Sequence, residues 1–136
     1  MVAAAITLVI SFFCQPSTAA APGSRALNAD DARALVMTAL PHRTRQLPGV
    51  YADGGKVVEK GRCMPFDILW ANPGPGSAHV DFYTVDLKTA VVWRGGVSRK
   101  AVTTPELVRL QRTLRGKLGV TEKEFKQAIE DSVCSW

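Results

Sequence analysis

Residues 79–96 read HVDFYTVDLKTAVVWRGG, and this stretch decides the architecture. Val80, Phe82 and Thr84 alternate with Asp81, Tyr83 and Val85, which is the period of a strand. Asp86, Leu87, Lys88 and Thr89 supply a polar turn. Residues 90–93 (AVVW) resume in strand-forming types, and Gly95-Gly96 ends the run. The pattern predicts a β-hairpin. A hairpin this apolar is unstable alone in water, so helices or further strands must cover it.

The segments before it extend the sheet. Residues 63–71 (CMPFDILWA) alternate Phe66, Ile68 and Trp70 across Asp67 and Leu69, with Pro65 placing the strand at an edge or at its first rungs. The loop between the two strands is rich in proline and glycine: Asn72, Pro73, Gly74, Pro75, Gly76 and Ser77. Further back, Asp53-Gly54-Gly55 signals a tight turn and Lys56, Val57, Val58 and Glu59 a short strand. The middle of the chain is therefore expected to be an antiparallel meander of three or four strands.

Helices flank the meander. Asn28 is an N-cap, Asp30 and Asp31 sit near the positive end of the dipole, and Ala32, Leu35, Val36, Ala39 and Leu40 form one stripe that stops at Pro41. Residues 42–50 are basic and irregular. Thr104-Pro105 opens a second helix with Leu107, Leu110, Leu114 and Leu118 on one face. Thr121 and Glu124 form a capping box for a third, whose inner face is Phe125, Ala128 and Ile129. The fold class is α+β: one N-terminal helix, the meander, two C-terminal helices.

Compartment follows from the first residues and the cysteines. Residues 2–13 are almost wholly apolar and Ser17, Thr18, Ala19, Ala20 and Ala21 follow, the order of a secretory signal peptide over residues 1–21, although no Lys or Arg precedes the run. The apolar run is too short to span a bilayer. A buried N-terminal helix is the alternative. Cys14 would leave with the signal, and the bulky residues before it argue against lipid attachment. The exported domain would then span residues 22–136 and retain Cys63 and Cys134, expected to be one disulfide rather than two buried thiols. The location expected is periplasmic or secreted.

The 136 residues carry a net charge of +5. Between residues 94 and 126, Arg94, Arg99, Lys100, Arg109, Arg112, Arg115, Lys117, Lys123 and Lys126 face only Glu106, Glu122 and Glu124. A basic face favours anionic partners, or simply keeps a helix face solvated. No nucleic-acid motif appears. His42 and His79 are in no metal-binding spacing, there is no CxxC, no nucleophile elbow and no phosphate loop, so neither a metal nor a cofactor is expected. Asp81 and Asp86 suit surface roles. Binding by loops and edges remains: the stiff loop 72–77, and Arg94, Arg99 and Lys100 beside the hairpin. Trp70, Tyr83 and Trp93 are expected in the core, and Trp136 at the surface.

The hairpin resembles the second half of a PepSY domain, which carries a strand, then Asp, two variable residues and Thr-Gly, then a strand ending in a large apolar residue. Val85-Asp86-Leu87-Lys88-Thr89-Ala90 and Val92-Trp93 match this pattern, with Ala90 in place of the glycine. The resemblance implies a cystatin-like helix on an antiparallel sheet, in exported proteins that bind or inhibit hydrolases. By kind, a small exported domain with one disulfide, a basic face and no catalytic set is also similar to the periplasmic immunity proteins of cell-wall hydrolases. The expectation is an exported inhibitor or immunity-type protein that blocks a hydrolase, an acidic one being the candidate the basic face suggests, by protein–protein contact. A PepSY-like module binding peptide or an envelope component, and a small hydrolase, are the alternatives.

Overall fold

Asn28 caps the first helix as expected: its side-chain oxygen accepts from the Asp31 amide at 2.8 Å. The structure, a computed structural model, describes residues 25–71, 76–95 and 100–134. The expected signal segment, residues 72–75, Arg99 and Trp136 lie outside these. The described elements are α1 (Ala29–Ala39), α2 (His42–Arg45), β1 (Val50–Gly54), β2 (Cys63–Ala71), β3 (Ser77–Asp86), β4 (Val92–Arg94), β5 (Lys100–Ala101), α3 (Pro105–Leu118) and α4 (Glu122–Glu130). The strands form one antiparallel sheet in chain order, β1-β2-β3-β4-β5.

The meander gains a fifth, two-residue strand that the sequence does not announce. The strand expected over Lys56, Val57, Val58 and Glu59 is reduced to one bridge, Val58 to Cys63. Glu59 and Lys60 both take φ of +53° there and reverse the chain. Strand character shifts to Val50–Gly54 instead. Gly54 and Gly55 do not make a tight turn; they permit close packing. A Cβ at Gly54 would lie 2.9 Å from Met64 Cε and from Phe66 Cε1, and one at Gly55 would lie 2.9 Å from Pro65 Cγ. The basic segment after Pro41 contains a single helical turn, α2.

Alternation along each strand divides the sheet into two faces. Ala52, Met64, Phe66, Ile68, Tyr83, Val85 and Val92 point to one face. There they bury against Ala32, Leu35, Val36 and Ala39 of α1 and Leu107 and Leu114 of α3. Among the buried residues of α3 are two polar ones, Gln111 and Arg115, and Gln111 donates to the Ala90 carbonyl at 2.9 Å. Cys63 and Trp93, the neighbours of Met64 and Val92, point the other way. They pack with Val91, Ala128 and Cys134, against Phe125, Ile129 and Val133. So α4 covers the second face at its β4 end, and the Cys63–Cys134 disulfide (Cα–Cα 5.5 Å) ties the chain after α4 to the start of β2. Tyr83 and Trp93 are buried and Trp70 is half-buried.

Asp86 is not a surface residue; it is fully buried at the hairpin turn. Its carboxylate accepts from the Lys88 amide at 3.0 Å, from the Thr89 hydroxyl, and from the Arg62 guanidinium. Asp81 is half-buried. At Ala90, the position where the PepSY pattern has glycine, φ is +63°. The left-handed geometry is kept by an alanine held between the Asp86 carbonyl, which accepts from its amide, and Gln111.

Candidate partner-binding site

The hairpin ends in Arg94, and Gly95 (φ +90°) leads out of it. The pairing of β4 with β5 then sets Lys100 directly opposite Arg94. Two cations face each other on the outer edge of the sheet, an arrangement that costs free energy unless one is compensated. Arg94 is: its Nε donates to Asp81 Oδ2 at 2.7 Å. Partial burial works against its charge, but that bond, with Tyr83 and Asp81 nearby, holds the guanidinium pKa above its ordinary value. Among the described residues no carboxylate pairs with Lys100. Two members of the expected basic site thus come together on one edge, with one charge answered and one open.

The loop expected to project between β2 and β3 is described only at its end. Gly76 is exposed with φ +105°, and Ser77 begins β3; Asn72, Pro73, Gly74 and Pro75 lie outside the described residues, as does Arg99.

A second surface was not foreseen. On the face that α4 partly covers, no described helix lies over the β1–β2–β3 half. Tyr51 lies opposite Leu69, Asp53 opposite Asp67, Asp67 opposite Phe82, and Leu69 opposite His79. A bulge in the β2–β3 register inserts Val80, so His79 and Phe82 share a face although they are three apart. Tyr51 is 41% exposed, and the side chains of Asp67 and His79 are 55% and 56% exposed. His79 Nε2 lies 3.1 Å from Asp67 Oδ1. The sequence signals strands here, but only register reveals which side chains share this face.

Between the hairpin turn and α4 lies a shallow groove of about 320 Å³, lined by Arg62, Lys88, Glu124, Gln127, Asp131 and Val133 among others. Charges of both signs line it, so it selects no ligand charge. Among the described residues no group of three or more His, Cys, Asp or Glu side chains could hold a metal ion. No helix among them is long and apolar enough to cross a membrane.

No family model matches the chain, that of the PepSY domain included, and no curated protein matches it. Among solved structures, the fold is similar to a chain in a type VI secretion system effector–immunity complex from Pseudomonas protegens. The TM-score is 0.57 and the identity 24%, over 82% of this chain and 92% of that one. The shared feature is the fold.

Proposed function

We propose that this chain is an exported immunity-type protein, which neutralises an effector enzyme by binding it. The observation that carries the reading is the likeness of nearly the whole fold to a chain of an effector–immunity complex. The disulfide between Cys63 and Cys134 supports an oxidising compartment, and residues 1–21 have the order of a signal peptide. The effector is then one that acts in the envelope, and a cell-wall hydrolase is the target class we infer. We assign the contact to the basic edge at Arg94 and Lys100, and add Arg99 and the loop 72–77 (Asn72, Pro73, Gly74, Pro75, Gly76 and Ser77) on their sequence character alone. The edge charges steer the approach of an acidic patch on the partner.

The test is co-expression. A toxin encoded beside this gene, directed to the periplasm, should lyse cells, and export of this chain should rescue them. Purified chain added in equal molar amount should stop the toxin's hydrolysis of its polymer. Lysis caused by this chain on its own would overturn the reading and place it on the effector side.

A further inference from the structure

We propose that α4 is a latch set by the redox state of Cys63 and Cys134. It docks on the sheet when the two sulfurs are bonded and leaves it when they are thiols, while the rest of the fold stays formed. The latch is a property of the fold and does not depend on the immunity reading.

Packing points to it first. The described core falls into two clusters. The larger joins α1, the sheet and α3, and it holds no residue of α4 and neither of these cysteines. The smaller holds Val91, Trp93, Ala128 and both cysteines, with Phe125, Ile129 and Val133 partly buried against it. Within α4, Ala128 is the one buried residue. One methyl group and two partly buried side chains remove little apolar area from water. α3 is held differently, by buried Leu107 and Leu114 and by the bond from Gln111 to the Ala90 carbonyl.

Length and polar ties come second. α4 has nine residues. An isolated helix shorter than about 12–15 residues is marginal in water, so α4 must be held from outside. Its described polar ties run along the chain. Arg115 Nη1 donates to Glu122 Oε2 at 2.7 Å, and the Arg115 guanidinium lies 4.1 Å from the Phe125 ring centroid. Thr121 and Glu124 close the capping box. These contacts link α4 to α3 and cap its start; they do not fasten its far end to the sheet.

The bond does. Cys63 sits in a frame that α4 does not build. Its backbone exchanges hydrogen bonds with Val58 at 2.8 and 3.0 Å, and its neighbour Arg62 is paired with Asp86. Cys134 follows α4 through a turn in which Ser132 and Cys134 take φ of +48° and +69°. This left-handed backbone is unfavourable for residues other than glycine. The disulfide holds the turn against that cost.

A dithiol reductant opens the latch by exchange. Its two thiols become a disulfide, the Cys63–Cys134 bond breaks, and each cysteine sulfur ends with one proton. Glutathione disulfide reverses the step and leaves as two thiols. The docked form therefore belongs to an oxidising compartment. Undocking uncovers Val91 and Trp93 and removes one wall of the groove between α4 and the hairpin turn.

Amide hydrogen exchange tests this on the exported chain with its bond intact, on the same chain refolded in dithiothreitol, and on Cys134→Ala. In the last two, residues 122–134 should exchange at close to unprotected rates. Amides of β2, β3 and α3 should stay slowed about a hundredfold or more relative to the unfolded chain. Trypsin should cut after Lys123 and Lys126 in those two forms and spare both sites in the bonded chain. Glutathione disulfide should restore the protection of the reduced native chain and leave Cys134→Ala unchanged. A reduced chain that keeps α4 protected would overturn the latch, since packing alone would then hold the helix. Loss of protection throughout the sheet would also overturn it, since the bond would then hold the whole fold.

Discussion

Arg62 and Asp86, 24 residues apart, meet in a two-pronged ion pair: Nε to Oδ1 at 2.9 Å and Nη2 to Oδ2 at 2.8 Å. Asp86 is fully buried, while the Arg62 side chain keeps 30% exposure. Bonding to Asp86 raises the Arg62 pKa further above its usual value, against the cost of partial burial. The pair joins the tip of the β1–β2 connection to the turn of the β3–β4 hairpin, and the Leu87 amide donates to the Arg62 carbonyl at 2.8 Å alongside it. Removing one partner leaves the other uncompensated. Asp86→Ala should therefore lower stability by about 3–5 kcal/mol, and Asp86→Asn by less, since its oxygen still accepts from the turn. Urea unfolding of both variants decides this. A loss of under about 1 kcal/mol for Asp86→Ala would mean the pair behaves as an ordinary surface bridge.

The disulfide closes a loop with a sequence separation of 71 residues. In the chain-entropy account a loop of this size stabilises by roughly 4 kcal/mol, and measured values usually fall below that. Cys134→Ala should cost about 2–4 kcal/mol, and α4 with the residues after it should lose amide-exchange protection first, because Cys134 anchors that end. Thiol titration of the denatured, unreduced mature protein should find no free cysteine. Two reactive thiols would remove the constraint.

The elements legible in the sequence are those set by local chemistry. The caps at Asn28, Thr104 and Thr121 and the stripe of α1 form where their residue types demand. The Cys63–Cys134 bond follows from there being two cysteines after the expected signal. What escaped depends on residues distant in sequence. Asp86 looks like a turn residue; only the arrival of Arg62 from another connection makes its burial tolerable. Gln111 looks like a gap in a leucine stripe until the Ala90 carbonyl is placed beneath it. The inserted Val80 leaves no mark in a sequence that alternates cleanly, yet it decides that His79 joins Asp67 on the face turned away from α1 and α3.

Two carboxylates predict how the last helix responds to acid. Glu122 is held below its ordinary range chiefly by its bond to Arg115, and Glu124 by the amide and hydroxyl of Thr121. Both are depressed in the folded state, so their contribution is present above the unfolded value of 4.5 and is lost as pH falls through the lower folded values. Stability measured from neutral pH downward should decline in that window. Glu122→Gln and Glu124→Gln should each flatten the decline. An unchanged acid limb in both variants would refute the assignment.

Cleavage of the leader is expected close to Ala20 or Ala21. The intact mass of protein recovered from the periplasm or medium checks this. A mass that retains residues 1–19 would remove the signal peptide and, with it, the argument for an envelope partner.

Lys100 and Arg94 lead to a kinetic prediction. Both stand on the sheet edge, but Asp81 answers the charge of Arg94 at 2.7 Å, whereas no described carboxylate answers Lys100. A rim charge acts mainly on the rate of encounter, through a field that salt screens. Lys100→Ser should thus slow association with the effector several-fold at low ionic strength and flatten its salt dependence, while the dissociation rate stays nearly constant. Arg94→Ser should slow association by a similar factor, because it removes the same unit of charge and leaves the Asp81 carboxylate uncompensated. Stopped-flow association over a range of salt concentrations measures both. If both changes act on dissociation alone, the edge is a packed contact and not a steering surface.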